Sequence, residues 1–406
     1  MRVLVISNLY PPAVRGGYEV ECAGVVEHLR ERGDEVIVLT SRLGRTGEND
    51  DGVLRRLPLL PQSPLGALRA PLASISAAKT TRKVIDSFRP DLIFAWNCAQ
   101  IPHAAVYAAL ESRIPTAFRV CEHWFGRLFT GDQFARHLVA GDRGLRRAWA
   151  AMMRGVNRSP ALRIDPERAS FPVAISWNSR FIRAAAPAPR LLEPVFERVV
   201  LSTSLNGARF AAVVRKPAGK PLLCYVGRLS VEKGPDVAVR ALALLRDRHG
   251  IEAELVLAGP ASPSEGRSLA RQAEALGVQE HFRMVGRLEL DDLTELLARS
   301  HVLVVPSLWA EPFPLVSIEG ALARVPIVAS KTGGIPEQLE DGSQALLFPP
   351  GDADACAEAI AAVLSHPDEA AARAARAFER ASALSWDNYL RETDAFISGS
   401  LAALAR

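Results

Sequence analysis

The sequence has no apolar run long enough to span a bilayer and no C-x-x-C pair. No G-x-G-x-x-G fingerprint stands at any of its strand–helix turns. The first absence leaves no segment for a membrane-spanning helix. The second removes the usual zinc and disulfide frameworks. The five cysteines (Cys22, Cys98, Cys121, Cys224 and Cys356) are scattered, as expected of a chain kept in a reducing cytosol. The third argues against a dinucleotide-dependent dehydrogenase. The P-loop and G-x-S-x-G patterns are missing too, so their phosphoryl-transfer and hydrolase chemistries lack their residues. One D-x-D occurs, Asp352-Ala353-Asp354. It follows Pro349-Pro350-Gly351 and opens a helical stretch, so Asp352 reads as a helix N-cap, and no metal site is expected.

A net charge of +4 over 406 residues gives no reason to expect a nucleic-acid partner. The excess is local. Between Arg127 and Arg168 nine arginines face four acids, with Leu145, Trp149, Met152 and Met153 at roughly helical spacing. This reads as a helical excursion with a solvated basic face. A sharper reading is a surface for anionic lipid or a phosphorylated acceptor. The chain is too long for one ordinary core, and its 49% hydrophobic residues can fill two.

The pattern along the chain is strand–helix alternation, interrupted once. Residues 3–7 read as a strand rather than a signal peptide, because polar Asn8 ends a short apolar run. A loop with Pro11, Pro12, Gly16 and Gly17 follows, then a helix over 18–32 and a strand over 35–40. Further strands are expected at 91–95 and 116–121. Alternation resumes with strands at 222–226, 254–258, 282–285, 302–305 and 327–330. Helices are expected at 235–248, 268–276, 290–299, 315–323 and 352–364. The expected architecture is α/β, with two Rossmann-like doubly wound parallel-sheet domains. They are placed at 1–208 and 221–384, joined by a linker at 209–220 that Pro217, Gly219 and Pro221 punctuate. A C-terminal helix over 385–406 is expected to cross back to the first domain.

Ligands of such sheets bind beyond the carboxyl ends of the strands, and the charged motifs fall there. Gly16-Gly17 lies between the first strand and its helix, where a backbone can approach a phosphate. Arg228 and Lys233 flank the turn after 222–226, a pair suited to a diphosphate. Glu311 and Glu319 stand eight positions apart, the first before Pro312 and Pro314, the second inside the helix. Eight helical residues turn about 80° net, so the two carboxylates would share a side only if both were helical; Glu311 is read as a loop residue. Carboxylates that accept sugar hydroxyls beside a helix start that attracts phosphate point to a sugar nucleotide. His123 and Asn97 each follow a first-domain strand, where a ligand would sit.

These residues resemble the retaining glycosyltransferases of the GT-B fold with the E-x7-E motif, a family that includes bacterial mannosyltransferases and sucrose- and glycogen-synthase relatives. The pieces that carry the resemblance are Tyr10-Pro11-Pro12 with Gly16-Gly17, Gly227-Arg228-Leu229 with Glu232-Lys233-Gly234, and Val305-Pro306-Ser307. To these are added Glu311-Pro312-Phe313-Pro314-Leu315-Val316 with Glu319, Gly333-Gly334-Ile335-Pro336-Glu337, and Ser385-Trp386. The resemblance implies two domains facing each other across a cleft. It also implies metal-independent transfer of a sugar from a nucleotide diphosphate donor to an acceptor hydroxyl, with retention. Arg228 and Lys233 would bind the diphosphate, Glu319 the ribose hydroxyls, and Glu311 the donor sugar. Backbone amides from Phe313 through Pro314 and Leu315 to Val316 would cradle sugar and phosphate, with one donor missing at Pro314. His123 would approach the sugar, and Gly16 and Gly17 the phosphates. Ser204 stands where the family has glycine before the linker, and Ala258-Gly259-Pro260 is a shortened turn.

The alternatives are a sugar-nucleotide epimerase on the same plan and an inactive sugar-binding partner subunit. The acceptor stays open among small molecules, lipid-linked species and glycans, as do the donor base, the donor sugar and the oligomeric state. The expected location is cytoplasmic, with peripheral contact at the inner membrane face through 127–168 as a further option.

Overall fold

The computed structural model describes residues 1–43, 52–60, 69–129, 151, 155 and 170–405. Most of the basic segment 127–168 lies outside the described residues. The chain divides into two compact units, Met1–Leu201 with Leu390–Arg406, and Ser202–Tyr389.

The first unit is built on seven parallel strands: β1 (Arg2–Ile6), β2 (Glu35–Ser41), β3 (Val53–Leu57), β4 (Leu92–Ala95), β5 (Thr116–Val120), β6 (Phe171–Trp177) and β7 (Leu192–Val199). Their order is β3-β2-β1-β4-β5-β6-β7. Helices α1 (Gly17–Glu31), α2 (Ala70–Phe88), α3 (Ala104–Glu111) and α4 (Arg180–Ala185) connect them. Sequences such as VLVI and LIFA are apolar throughout because both sheet faces are covered. An ion pair is nonetheless buried in this core. Arg119 of β5 donates to Glu21 of α1 at 2.7 Å, to Ser176 Oγ at 3.0 Å and to the Val200 carbonyl at 2.6 Å, and both charged side chains are buried. A buried ion pair is tolerated only when its remaining donors and acceptors are satisfied in this way.

The second unit holds six parallel strands in the order β10-β9-β8-β11-β12-β13. They are β8 (Leu222–Val226), β9 (Glu254–Ala258), β10 (Phe282–Gly286), β11 (Val302–Val305), β12 (Ile327–Ser330) and β13 (Leu346–Phe348). Around them are α5 (Gly207–Ala211), α6 (Pro235–His249), α7 (Pro263–Ala275), α8 (Leu290–Arg299), α9 (Leu315–Leu322), α10 (Ile335–Gln338), α11 (Ala353–Ser365) and α12 (Pro367–Ala383). Local chemistry sets their ends. Helix α6 starts with Pro235 after left-handed Gly234 and stops at left-handed Gly250, with Arg246, Arg248 and His249 in its last turn. Asp352 accepts from the Ala355 amide at 2.9 Å and caps α11, as the sequence predicts.

Two boundaries differ from expectation. Residues 209–220 are not a linker but part of the second unit, which begins at Ser202 rather than after 208. Proline and glycine made the segment look loose. Its Arg215, however, donates to the Leu297 and Ser300 carbonyls, at 2.5 and 2.6 Å, and the Lys216 amide to the Ala298 carbonyl at 2.9 Å. The last helix, α13 (Trp386–Leu404), starts in the second unit, and from Leu390 it groups with the first. There Phe396 packs on Phe94 and Phe196, Asp394 meets His28 and Arg32, and Glu392 pairs with Arg198. Gly399 is needed for this seat, since a Cβ would come 2.5 Å from the Phe196 ring.

The strand order reverses between β1 and β4 in one sheet and between β8 and β11 in the other. Ligands of open parallel sheets bind at such switch points, outside the carboxyl ends. The loops there are the ones carrying Gly16-Gly17 and Asn97, and Arg228, Lys233 and Glu311.

Replacing Arg119 by Met strands the Glu21 charge in the core and is expected to lower unfolding free energy by about 3–5 kcal/mol. Urea unfolding followed by circular dichroism measures it, and the Glu21→Leu/Arg119→Met double variant should recover most of the loss.

Candidate functional site

The loop after β8 is shaped by two glycines outside the range of other residues. Gly227 and Gly259 have φ of 153° and 151°. A Cβ on Gly259 would lie 1.8 Å from the Gly227 carbonyl oxygen, so the two turns cross in contact. Gly227 donates to the Ala258 carbonyl and Leu229 to the Pro260 carbonyl, both at 2.9 Å. The Tyr225 hydroxyl donates to the Arg228 carbonyl at 2.5 Å. Burial pushes the Tyr225 phenol well above its usual range, so it stays a donor. On this frame the Arg228 guanidinium reaches outward, 3.1 Å from Glu232. Against the cost of partial burial, the Ser230 hydroxyl and Arg228 hold the Glu232 carboxyl below its usual value.

Gly234 ends the loop with φ of 67°, and a Cβ there would sit 2.0 Å from the Pro306 carbonyl. That approach brings Lys233 against the loop that follows β11. The Lys233 ammonium lies 2.5 Å from Glu311 Oε1, the Ser307 hydroxyl donates to the same oxygen at 2.6 Å, and the Trp309 ring lies 5.7 Å from the ammonium. The Glu311 side chain is only 4% exposed. From the other side, Gly334 donates to the Glu311 carbonyl at 2.7 Å. A Cβ on Gly333 or on Gly334 would come 2.2 Å from the Glu311 or the Pro312 carbonyl oxygen, respectively. The Gly333-Gly334 turn is therefore the wall against which the acidic loop is seated.

Helix α9 begins directly after Pro314, whose carbonyl accepts from Gln338 Nε2 at 3.1 Å. Its first-turn amides belong to Leu315, Val316 and Ser317, and Phe313 is buried before them. Ile318, Ala321 and Leu322 are buried and Val316 is partly so. Glu319 points at Ser204, whose hydroxyl donates to it at 2.9 Å. Burial raises the Glu319 pKa above the ordinary carboxylate value, and the Ser204 hydrogen bond opposes that rise.

In the first unit, Gly16 is extended and precedes α1. The Glu19 carboxylate accepts from the Gly16 amide at 3.0 Å and from the Arg15 amide at 3.2 Å. A side chain of the helix thus already takes two donors at the start where an anion was expected. His123 lies edge-on to the Phe181 ring at 5.7 Å, three residues past the end of β5. Asn97 is buried and its side chain accepts from the Ala99 amide at 3.1 Å, a loop-shaping contact.

Within the second unit the structure brings Lys233 and Glu311 into contact, and holds Arg228 and Glu319 against Glu232 and Ser204. Of the partners, Ser204, Ser307, Trp309 and Glu232 had no assigned role in the sequence. Ser204, Ser307 and Glu232 lay inside recognised motif pieces, which was their available signal. Among the described residues no three His, Cys, Asp or Glu side chains come together to hold a metal. No helix among them is long and apolar enough to cross a membrane.

Residues 208–380 match the family described as glycosyl transferases group 1, and residues 16–170 match the glycosyl transferase 4-like domain. Glycogen synthase of Mycobacterium tuberculosis (strain CDC 1551 / Oshkosh) is 28% identical over 403 residues, covering 94% of this chain and 90% of that protein. Sucrose-phosphate synthase from Thermosynechococcus elongatus superposes with a TM-score of 0.70 at 19% identity, covering 99% of each chain. Anabaena Alr3699/HepE in complex with UDP-glucose superposes with a TM-score of 0.66 at 18% identity, over 98% of this chain and all of that one (100%). The shared architecture is the two-domain, Rossmann-like GT-B fold.

Gly334→Val would push a branched side chain into the Pro312 carbonyl. It is expected to cost at least about 3 kcal/mol, the upper end for overpacking, because the obstacle is backbone. Chemical denaturation measures the loss, and a variant as stable as the parent would show that the wall is not needed.

Proposed function

The chain belongs to the glycosyl transferases group 1 family, and on that premise we propose that it is a retaining, metal-independent enzyme moving a sugar from a nucleotide diphosphate donor to an acceptor hydroxyl. The observation that carries this reading is the convergence of Lys233 and Ser307 on the buried Glu311 carboxylate, at the switch point of the second sheet.

Cleavage of the bond between the anomeric carbon and the donor phosphate builds negative charge on the departing diphosphate. Arg228 and Lys233 are the cations proposed to stabilise it, with the uncapped start of α9 at Leu315 and Val316. A fixed cation near the leaving oxygen does the work a divalent metal does elsewhere, which supports metal independence. Lys233 is neutralised by Glu311 at rest. Sugar hydroxyls donating to Glu311 would weaken that hold and leave more of the ammonium's charge for the phosphate. The acceptor hydroxyl then attacks from the face the diphosphate leaves. A carbon–oxygen bond to the acceptor forms, and the hydroxyl proton passes to the departing phosphate oxygen. Glu319 is the proposed partner of the nucleotide ribose hydroxyls. For the first unit, His123 and the Gly16-Gly17 turn are the proposed substrate contacts. The five cysteines are buried thiols, which supports a reducing, cytoplasmic setting. The HepE complex makes UDP-glucose the first donor to try.

Arg228→Ala is expected to lower kcat by about 100- to 1000-fold with the melting temperature retained, and Lys233→Ala to lower kcat to a similar extent while also lowering the melting temperature, because it strands the buried Glu311 carboxylate. Transfer from UDP-, GDP-, ADP- and TDP-sugars with product analysis measures it, and unchanged turnover in either variant would remove the leaving-group argument. Chelation by EDTA should leave the parent's rate unchanged.

Ribose hydroxyls bond an ionised acceptor more strongly than a protonated one, so donor KM should be flat above the raised Glu319 pKa and climb below it. Stability moves the other way. Because the fold favours the protonated acid, raising pH from the ordinary carboxylate value through the raised one removes stability. Glu319→Gln should remove this pH dependence of KM and this one contribution to the stability profile.

A further inference from the structure

A cavity of about 390 Å³ opens in the second unit at the amino ends of its strands, away from every residue assigned above. His301 stands immediately before β11 and Pro326 immediately before β12, whereas Glu311 lies beyond the carboxyl end of β11. Its walls are mostly apolar, with Pro217, Leu364 and Ala371 among them, yet Arg215, His301 and Arg324 also line it. No Asp or Glu is among the lining residues. Small-molecule sites have this size and this mixture of apolar walls with a few converging polar groups.

The charges there are held without a counter-charge. Arg215 donates to the Leu297 and Ser300 carbonyls, and Arg324 donates to the Ala211 carbonyl at 3.3 Å while its guanidinium stacks 3.5 Å over the Phe378 ring. Among the described residues neither arginine is paired with a carboxylate. Burial lowers the Arg215 pKa, which reports the cost of this uncompensated cation. His301 Nδ1 accepts from the Leu222 amide at 3.1 Å, so the neutral ring carries its proton on Nε2 as a donor. Burial and then Arg215 hold the His301 pKa below its usual value, which keeps the ring neutral. Arg324 has φ of 55°, left-handed, at the helix C-terminal position where glycine is the ordinary choice. A charged side chain is kept there in spite of the backbone.

We propose that this groove binds a small organic anion, whose carboxylate or phosphate head is held by Arg324 and the His301 Nε2–H in the field of Arg215 and whose apolar body lies against Leu364 and Ala371. The ligand is amphipathic by necessity. A bare anion would leave the apolar walls wet, and a neutral apolar molecule would leave the cations without a partner.

The test is titration calorimetry on the full chain with octyl phosphate and with octanoate below their micellar concentrations, against octanol and inorganic phosphate. Saturable binding is expected for one or both amphipathic anions, and at least about tenfold weaker binding for the two controls. Saturating UDP should not displace the ligand, which separates this site from the donor site whatever the fate of the glycosyltransferase reading. Arg324→Gly removes the guanidinium and relieves the left-handed backbone, so it should fold normally and bind at least about tenfold more weakly. Ala371→Phe, at an exposed helix position, should fill the groove and abolish binding. Absence of saturable binding by either anion, equal binding of octanol, displacement by UDP, or unchanged affinity in both folded variants would each overturn the proposal.

Discussion

Glu311 is a buried carboxylate, and most of the second unit's special geometry serves to make that burial tolerable. Removing a carboxylate from water costs several kcal/mol unless a counter-charge and hydrogen bonds replace the solvent. Here Lys233 and Ser307 do so at a single oxygen. Their reach depends on backbone contacts no side chain would permit, at Gly234 against Pro306 and at Gly333 and Gly334 against Glu311 and Pro312. The glycines and the ion pair are therefore one device. The glycines let three loops from three strand ends close on each other, and the ion pair makes the closed arrangement electrically acceptable.

The two sheets share a plan, but their helix starts treat anions differently. At α1, Glu19 folds back onto the Gly16 and Arg15 amides, so the positive end of that dipole has an internal counter-charge. At α9 the residue before the helix is Pro314, which has neither a side-chain acceptor nor an amide of its own, and no side chain caps the turn. The first α9 amides thus have no side-chain acceptor. Similar topology thus yields one helix start with an internal counter-charge and one without, and the difference comes down to which residue lies within a turn of the N-cap.

The sequence revealed these elements unevenly, for physical reasons. Strands β8, β9, β11 and β12 and helix α8 coincide with the apolar runs and bounded patterns that predict them, because central parallel strands are buried on both faces and are cut off by glycine or proline. Strands β6 and β7 are not among the expected strands. Pro172 and Pro194 interrupt their patterns, and β7 is an edge strand that exposes Glu193 and Val195. Helix α7 starts five residues before the expected 268–276, at the capping box of Ser262 with Glu265. Of the site, the charged residues were legible from their places after strands. Their pairing was not, since Lys233 and Glu311 are 78 positions apart and Ser204 and Glu319 are 115 apart. Nothing local in a chain specifies which distant hydroxyl will face a carboxylate.

Helix α9 connects these observations, because both of its ends are fixed to other elements. Its start is tied through the Pro314 carbonyl to Gln338, and Glu319 is tied to Ser204 just before α5. Past its end, Arg324 is tied to Ala211, the last residue of α5. Gly320 sets the helix down on β11 so closely that a Cβ would come 2.2 Å from a Leu303 methyl. A helix held this way cannot tilt alone; packed elements move between discrete arrangements rather than deforming smoothly. The left-handed Arg324, at the far end of the helix from the first-turn amides, is thus tied into the same packed element as those amides.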